Sequence, residues 1–332
     1  MFKVAVVGSG YIAQNHFAAI KGIEDAEVVA VVARNAEKGE KVAQEIGAKF
    51  FTSLQDAKAA TDMNVVIIAT PTDLHEKFVV EAAKLGCHVL CEKPITFTVE
   101  SFDRMVAACK ENGVRFMVAQ VARWWPEFIT IKDYIDEGKL GDIHMIYEKR
   151  LAQHPTWATW HRDPSKSGGG LYDMNVHDID YMYSIFGKPA SVYCTGWKSP
   201  TGCWNHVCTS LTWANGTKAV VETSLEMTGD WPFSIEVRAA GDKGTINYAL
   251  TAGVNINDDA ERGSNLMWYP VGGPAEPLQA EQIDMFAGEI NEFFSAIKED
   301  REASVTHEQN RGVLEIIEAS IRSLEENIVV FL

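Results

Sequence analysis

Short apolar runs alternate with amphipathic stretches through residues 1–120 of the chain. The apolar runs predict β-strands at Lys3–Val7, Val28–Ala33, Val65–Ala69, His88–Cys91 and Arg115–Ala119. The amphipathic stretches between them predict helices at Ala36–Ile46, Leu74–Leu85 and Val99–Asn112. Runs such as Val65–Ala69 are apolar on both faces, which is typical of parallel strands that helices cover on both sides. This order predicts an α/β fold with a doubly wound parallel sheet.

After residue 121 the pattern changes to alternating polar and apolar positions. Following a predicted helix at Trp125–Glu137, strands are predicted at Ile143–Leu151, Ser191–Thr195, Val207–Trp213, Lys218–Leu225, Phe233–Ala239 and Gly244–Tyr248. Turn pairs such as Asn215-Gly216 indicate antiparallel strands with one covered and one open face. Helices are predicted again at Ala280–Asp300 and His307–Asn327. We expect two domains, residues 1–121 and 122–332, with the last helices able to pack back on the first domain.

The sequence Gly8-Ser9-Gly10-Tyr11-Ile12-Ala13 fits the pattern G-x-G-x-x-G/A. It follows the first predicted strand and opens a helix near Tyr11, which is the context of a dinucleotide-binding loop. Gly8 permits the tight turn, Gly10 lets the backbone approach a pyrophosphate, and Ala13 keeps helix and strand close. The helix N-terminus then offers N–H groups to the phosphates. We therefore expect a Rossmann domain whose cofactor-binding residues include Gly8, Ser9, Gly10, Tyr11 and Ile12.

The second strand lacks the acid that binds the adenosine ribose in NAD-specific sites. About 20 residues beyond the loop, where that acid is expected, the chain reads Val32-Ala33-Arg34-Asn35. Arg34 could pair with the 2′-phosphate of NADP, or it could be a solvated surface charge. Because a missing acid still permits weak NAD binding, we expect Ala33 and Arg34 to favour NADP or dual use.

The charge and the cysteines exclude several classes of partner. The formal net charge of −16 over 332 residues repels nucleic acid and anionic membranes, and no basic run compensates for it. No apolar stretch approaches the roughly 20 residues of a membrane span. The six cysteines form no C-x-x-C pair and no zinc-site spacing. We expect reduced, mostly buried thiols and a cytoplasmic location.

Two further motifs carry a resemblance to a known family. The run Cys91-Glu92-Lys93-Pro94 follows the fourth strand, and Ser167–Asp180 reads S-G-G-G-L-Y-D-M-N-V-H-D-I-D. With the glycine loop, Thr70-Pro71 before His75, and Arg123-Trp124-Trp125-Pro126, the chain resembles the glucose–fructose oxidoreductase/inositol dehydrogenase (Gfo/Idh/MocA) family over nearly its whole length. The resemblance implies a Rossmann domain followed by an α/β domain with a large open, mainly antiparallel sheet that often forms an oligomer interface. It also implies a sugar, inositol or related polyol as substrate.

The resemblance implies catalytic roles for Lys93, Asp173 and His177. Lys93 lies just beyond the C-terminal end of a parallel strand, where ligands of open α/β sheets bind. The spacing of Asp173, His177 and Asp180 places them on one face if they share a helix. Histidine titrates near neutral pH, so His177 is suited to remove a hydroxyl proton as hydride leaves carbon. We expect Asp173 to orient the substrate or the imidazole, and Asp180 to be structural.

Other positions are weaker candidates. The further cofactor-binding candidates are Thr70, Pro71, His75, Glu92, Lys93 and Gln120, and the substrate-binding candidates are Lys93, Arg123, Trp124, Trp160, Asp173 and His177. His75 could instead cap or pack, and Arg123 could form a domain-interface ion pair. Tryptophans such as Trp124, Trp157 and Trp160 could stack on sugar C–H surfaces or anchor a core or subunit interface. His154, His161 and Asp163 match no common metal-site spacing, so no metal is expected.

Three functions are compatible with these residues. The leading hypothesis is a dehydrogenase that transfers hydride between NAD(P) and a hydroxyl or keto carbon of a sugar or cyclitol. A second enzyme would use bound nicotinamide cyclically, through oxidation, elimination or epimerisation, and reduction. A third possibility is a non-catalytic dinucleotide sensor, although such a protein has no need of Lys93, Asp173 and His177. The uncovered face of the second sheet also predicts a homodimer or homotetramer.

Overall fold

The chain divides into two compact units in the computed structural model, which describes residues 1–155, 159–253 and 263–332. The first unit contains Met1–Trp124 and Ile283–Arg311, and the second contains Trp125–Gln282 and Gly312–Leu332. None of the helices in the described ranges has the length and apolar character needed to cross a membrane. The six cysteines are free thiols, and all are buried except Cys208, which is partly exposed.

The first unit is built on a six-stranded parallel sheet. Its strands are β1 (Phe2–Val7), β2 (Ala26–Val32), β3 (Lys49–Phe51), β4 (Val65–Ile68), β5 (His88–Glu92) and β6 (Phe116–Ala119). They lie in the order β3-β2-β1-β4-β5-β6, the order of the Rossmann fold, which confirms the predicted fold class. The predicted strands are all present. The sequence does not predict β3, because its three residues are too few to show a pattern.

Five helices connect these strands. They are α1 (Tyr11–Lys21), α2 (Ala36–Ile46), α3 (Leu54–Ala60), α4 (His75–Lys84) and α5 (Val99–Glu111). Helix α2 has the predicted bounds because its ends carry clear signals. The Asn35 side chain accepts the N–H of Lys38 at 2.9 Å, and Gly47 leaves the helix with a left-handed φ of 76°.

The second unit contains a nine-stranded, mainly antiparallel sheet. Its helices are α6 (Pro126–Asp136), α7 (Pro164–Ser167), α8 (Gly170–Asp173) and α9 (Asn175–Phe186). Its strands are β7 (Ile143–Leu151), β8 (Ser191–Lys198), β9 (Trp204–Thr212), β10 (Lys218–Ser224), β11 (Ser234–Gly241), β12 (Gly244–Thr251), β13 (Gly263–Pro270), β14 (Glu276–Pro277) and β15 (Val330–Phe331). Their order is β14-β13-β12-β11-β7-β10-β9-β8-β15, and β7 and β10 run parallel. The predicted strands are present, whereas β13, β14 and β15 are not predicted.

The nine-stranded sheet has one buried and one open face. Inward residues such as Ile146, Val207 and Val237 are buried, whereas their strand neighbours alternate outward. On the outward face the Tyr147 hydroxyl donates to Glu222 at 3.0 Å, and other polar pairs accompany it. The alternation predicted from the sequence is confirmed.

Two further helices precede the last strand, β15: α10 (Met285–Lys298) and α11 (His307–Glu326). Helix α10 is part of the core of the first unit, where Ile290, Phe293 and Phe294 are buried. The Phe294 ring stacks on Phe2 with centroids 4.0 Å apart. Full burial of one such side chain stabilises a fold by about 1.5–3 kcal/mol, so α10 is integral to this unit. The helix begins later than predicted because Asp284 accepts the N–H of Ala287 and caps it.

Candidate active site

The glycine loop between β1 and α1 combines close packing with an open approach. Gly8 has a φ of 127°, and a Cβ atom there would lie 2.3 Å from the carbonyl oxygen of Ala69. At Gly10 no described atom lies within 4 Å of the Cβ position, and no side chain caps α1. Ala13 is fully buried. These features fit a pyrophosphate at the N-terminus of α1, with Ser9, Tyr11 and Ile12 partly exposed around it.

Arg34 lies in the turn between β2 and α2. Its side chain is exposed, and it follows Ala33, whose N–H donates to the carbonyl of Phe51 at 3.1 Å. Within the described ranges no carboxylate forms an ion pair with Arg34. The guanidinium is therefore available to an anion, and the chain offers no acid at this position for a ribose hydroxyl.

His75 connects the loops that follow β4 and β5. It is buried, and its Nδ1 lies 3.0 Å from the carbonyl oxygen of Pro94 and 3.2 Å from that of Ile95. Its Nε2 lies 2.9 Å from the carbonyl oxygen of Thr70. Burial lowers the pKa of His75, while these carbonyls partly oppose that effect. The ring holds Thr70 and the Lys93-Pro94 loop in place, which favours the packing alternative over direct contact with a cofactor.

Lys93 follows β5 directly, at the carboxyl end of the parallel sheet. The Lys93–Pro94 peptide is cis, and the lysine side chain is half-buried. Its backbone N–H donates to Glu92 Oε2 at 3.2 Å. The other oxygen of Glu92 lies 2.8 Å from His16 Nε2 on α1. Glu92 is therefore a buried residue that orients the backbone of Lys93 through a hydrogen bond.

The candidates after β6 are held by the C-terminal part of the first unit. Gln120 is buried and donates to Asn310 at 3.3 Å. Arg123 donates to Gln309 at 2.7 Å. The Trp124 ring lies 2.6 Å from the Cβ position of Gly288, so a side chain there would collide with it. Trp124 thus packs on α10, which is a structural role.

The glycine run before α8 packs against β9. Gly168 and Gly169 have φ angles of 70° and 78°. A Cβ atom at Gly169 would lie 2.5 Å from Cβ of Cys203, and one at Gly170 would lie 3.0 Å from the carbonyl oxygen of Asn205. The structure shows that glycines are required for close packing.

Asp173 and His177 do not share a helix, so the condition for the expected common face is not met. Asp173 ends α8, Met174 lies between the two helices with φ −107° and ψ −49°, and His177 lies in the first turn of α9. Buried Asn175 explains the break, since its amide donates to the Thr223 hydroxyl at 2.9 Å and fixes the start of α9. Asp180 does lie on α9 with His177 and is fully buried.

Asp173 has a partner that the sequence did not identify. His161 Nδ1 lies 3.6 Å from Asp173 Oδ2, and the ring of Trp160 stacks on His161 with centroids 3.9 Å apart. Trp157 lies outside the described residues. Of the group considered for a metal, His154 instead contacts Glu226 at 3.0 Å, and Asp163 caps α7.

Asn205 connects the glycine run before α8 to Glu226 through hydrogen bonds. It is fully buried; its Oδ1 accepts the N–H of Gly170 at 2.8 Å and its amide donates to Glu226 at 2.7 Å. The sequence could have indicated the importance of Asn205, because it occupies an inward position of the alternating strand β9. A polar side chain at such a position requires partners.

Comparison with known proteins gives matches along most of the chain. A model described as an oxidoreductase family, NAD-binding Rossmann fold matches residues 2–120, and a GFO/IDH/MocA C-terminal domain model matches residues 128–247. Inositol 2-dehydrogenase of Rhizobium meliloti (strain 1021) is 26% identical over 339 residues, which cover 98% of this chain and 97% of the relative. The scyllo-inositol 2-dehydrogenase (NADP(+)) IolU of Bacillus subtilis (strain 168) is 30% identical over 254 residues, covering 74% and 75%. Levoglucosan dehydrogenase in complex with NADH and levoglucosan superimposes with a TM-score of 0.83 at 25% identity over 99% of each chain.

Proposed function

Because the chain belongs to the Gfo/Idh/MocA family of oxidoreductases, we propose that it transfers a hydride between NAD(P) and a hydroxyl or keto carbon of a sugar, inositol or related polyol. The observation that carries the proposal is that one chain combines an open phosphate loop at α1 with a half-buried His177 in the first turn of α9. The names of the inositol dehydrogenases that it resembles support the substrate class.

We assign the dinucleotide to residues 1–121 and the substrate to residues 122–332. When bound, the nicotinamide ring supplies the hydride acceptor or donor. His177 takes the hydroxyl proton during oxidation and returns it during reduction. Asp173 accepts a hydrogen bond from the substrate or the imidazole, and the Lys93 ammonium donates to the reacting oxygen and opposes its developing negative charge.

Arg34 directs the choice of dinucleotide in this proposal. Its exposed guanidinium, without a carboxylate partner in the described part of the chain, suits a 2′-phosphate. We propose that the protein binds NADP(H) at least as well as NAD(H). The Bacillus subtilis relative is named as an NADP(+) enzyme, whereas levoglucosan dehydrogenase was solved with NADH, so relatives of both kinds exist.

A substrate panel tests the proposed activity. Inositols, aldoses, anhydrosugars and their keto forms are incubated with each oxidised or reduced dinucleotide, and both nicotinamide absorbance and products are measured. We expect at least one polyol to give product with a matching absorbance change, and His177→Ala to slow both by about 10²–10⁴-fold. Product without net absorbance change would instead establish cyclic use of the nicotinamide. Dinucleotide binding without any product across the panel would support a sensor.

A further inference from the structure

Three ionisable side chains of the first unit meet in its core. His16 on α1 and Glu289 on α10 are fully buried, and Glu92 at the end of β5 is 6% exposed. One ring nitrogen or carboxylate oxygen from each lies within 4.8 Å of the others. The Phe286 ring lies edge-on to His16 with centroids 5.4 Å apart, so the surroundings are largely apolar.

The three side chains differ in the hydrogen-bond partners that they have. Glu92 accepts from Lys93 N–H at 3.2 Å and lies 2.8 Å from His16 Nε2. Neither oxygen of Glu289 has a hydrogen-bond partner among the described residues. The charged groups acting on Glu289 are the carboxylates of Glu92 on β5 and Asp284 at the N-cap of α10, and His16 faces it from α1. Within the described ranges no lysine or arginine compensates for this second buried acid.

Burial of two ionised carboxylates at this distance is unfavourable. A carboxylate without hydrogen bonds loses its hydration and gains nothing in return, so it binds a proton instead. Burial, reinforced by the negative charge of Glu92, raises the pKa of Glu289 well above 4.5. Glu92 differs because the Lys93 N–H donates to one of its oxygens and His16 Nε2 lies 2.8 Å from the other.

We propose that His16, Glu92 and Glu289 form a buried proton site in which Glu289 is a neutral carboxylic acid and Glu92 carries the single negative charge. Because Glu289 is neutral, it does not repel the carboxylate of Glu92. The Glu92 carboxylate therefore keeps its hydrogen bonds to the Lys93 N–H and to His16. Glu289 and His16 are therefore positioning residues for Lys93. Only this last role depends on the proposed function; the proton site itself does not.

The first test uses Glu289→Gln, which keeps the shape of the neutral acid and cannot ionise. A group whose folded-state pKa is raised contributes stability that is lost as pH rises from the unfolded-state pKa through the folded-state pKa. The wild type should therefore become less stable relative to Glu289→Gln as the pH rises above 4.5. The ratio of the wild-type unfolding equilibrium constant to that of Glu289→Gln should increase by up to about tenfold per pH unit. Denaturant unfolding at several pH values measures this ratio without any substrate.

Glu292→Gln, on the same helix, is the matched control. Arg301 lowers the pKa of Glu292. The wild type should therefore become more stable relative to Glu292→Gln as the pH rises towards 4.5, which is the opposite pH dependence. Infrared difference spectra of wild type minus Glu289→Gln should also contain the carbonyl band of a protonated carboxyl in the pH range above 4.5 in which the stability ratio changes. A flat stability ratio, absence of that band, or a divalent cation bound in stoichiometric amount by the wild type and lost in Glu289→Gln would each overturn the proton site.

The second test concerns Lys93 and uses a substrate found in the panel. Glu289→Gln should keep turnover and should retain it at alkaline pH better than the wild type, because it cannot ionise beside Glu92. His16→Leu removes a donor from the Glu92 carboxylate and should lower kcat by roughly 10- to 100-fold, with little change in dinucleotide affinity. Equal kcat in His16→Leu and wild type would refute the positioning role, while the stability test would still decide the proton site.

Discussion

The imidazole of His161 lies 3.6 Å from the carboxylate of Asp173. Both side chains are mostly buried, and the Trp160 ring stacks on the imidazole of His161. The distance is long for a direct hydrogen bond, yet short enough for the imidazole to influence the direction of the carboxylate. His161 therefore has a place in the candidate site beside the motif-derived Asp173.

We expect His161→Gln to lower kcat/KM by about two- to fivefold, the size of a weak ion pair. Asp173→Asn should lower it more, and the double variant should be less impaired than the two separate losses combined, because both act on one carboxylate. His144→Gln, at an exposed position of β7, is the control and should be silent. Strictly additive losses would show that the two residues act independently.

Arg34→Ala should weaken NADP(H) binding by about 10- to 100-fold, the size of a charge-assisted hydrogen bond, and leave NAD(H) almost unchanged. Calorimetric titration with both dinucleotides measures this selectivity. Lys38→Ala, on the exposed side of α2, removes a nearby positive charge and serves as the control. A strong preference for NAD(H) that Arg34→Ala does not alter would contradict the assigned role of Arg34.

Local signals explain how much of the fold could be predicted. The apolar run at β4 and the caps Asn35 and Gly47 of α2 are complete in the sequence, and the structure agrees with them. Strand β3 is only three residues long, and β15 pairs with a strand far away in sequence. Neither provides a periodic pattern, so only the assembled sheet reveals them.

The candidate site was predictable only where a motif carried it. The phosphate loop and Lys93 could be placed from their strand ends. The break at Met174 could not, because it depends on the bond from Asn175 to Thr223, whose strand lies 48 residues along the chain. The contact of His16 with Glu92 spans 76 residues and likewise requires the folded chain.

Asn205→Leu should reduce stability by about 1–3 kcal/mol, because the buried N–H of Gly170 and Glu226 would lose a partner. Thermal unfolding followed by circular dichroism measures the change. Asn247→Leu, on the outward face of β12, is the same substitution at a partly exposed position and should have a small effect. Equal losses in both variants would show that the buried contacts of Asn205 are not what stabilises the glycine run.

The open face of the nine-stranded sheet predicts a homodimer or homotetramer. Val220 lies on this face, in register with Tyr147 of β7 and Ser210 of β9. Val220→Glu should shift the mass measured by light scattering towards the monomer, whereas Val271→Glu, at a residue 72% exposed in a loop, should not. A monomeric wild type at micromolar concentration would exclude this assembly.

The proposed catalytic roles predict different kinetic losses for His177 and Lys93. His177→Ala should lower kcat by about 10²–10⁴-fold, because it removes the acid–base group, and should leave dinucleotide affinity nearly unchanged, since the phosphate loop remains intact. Lys93→Ala should lower kcat and raise KM together, because the ammonium is proposed to hold the substrate oxygen in both ground and transition states. Lys84→Ala, near the end of α4 and exposed, is the matched lysine control. Near wild-type turnover by either His177→Ala or Lys93→Ala on the true substrate would remove that residue from the active site, while the Rossmann fold and its dinucleotide loop would stand.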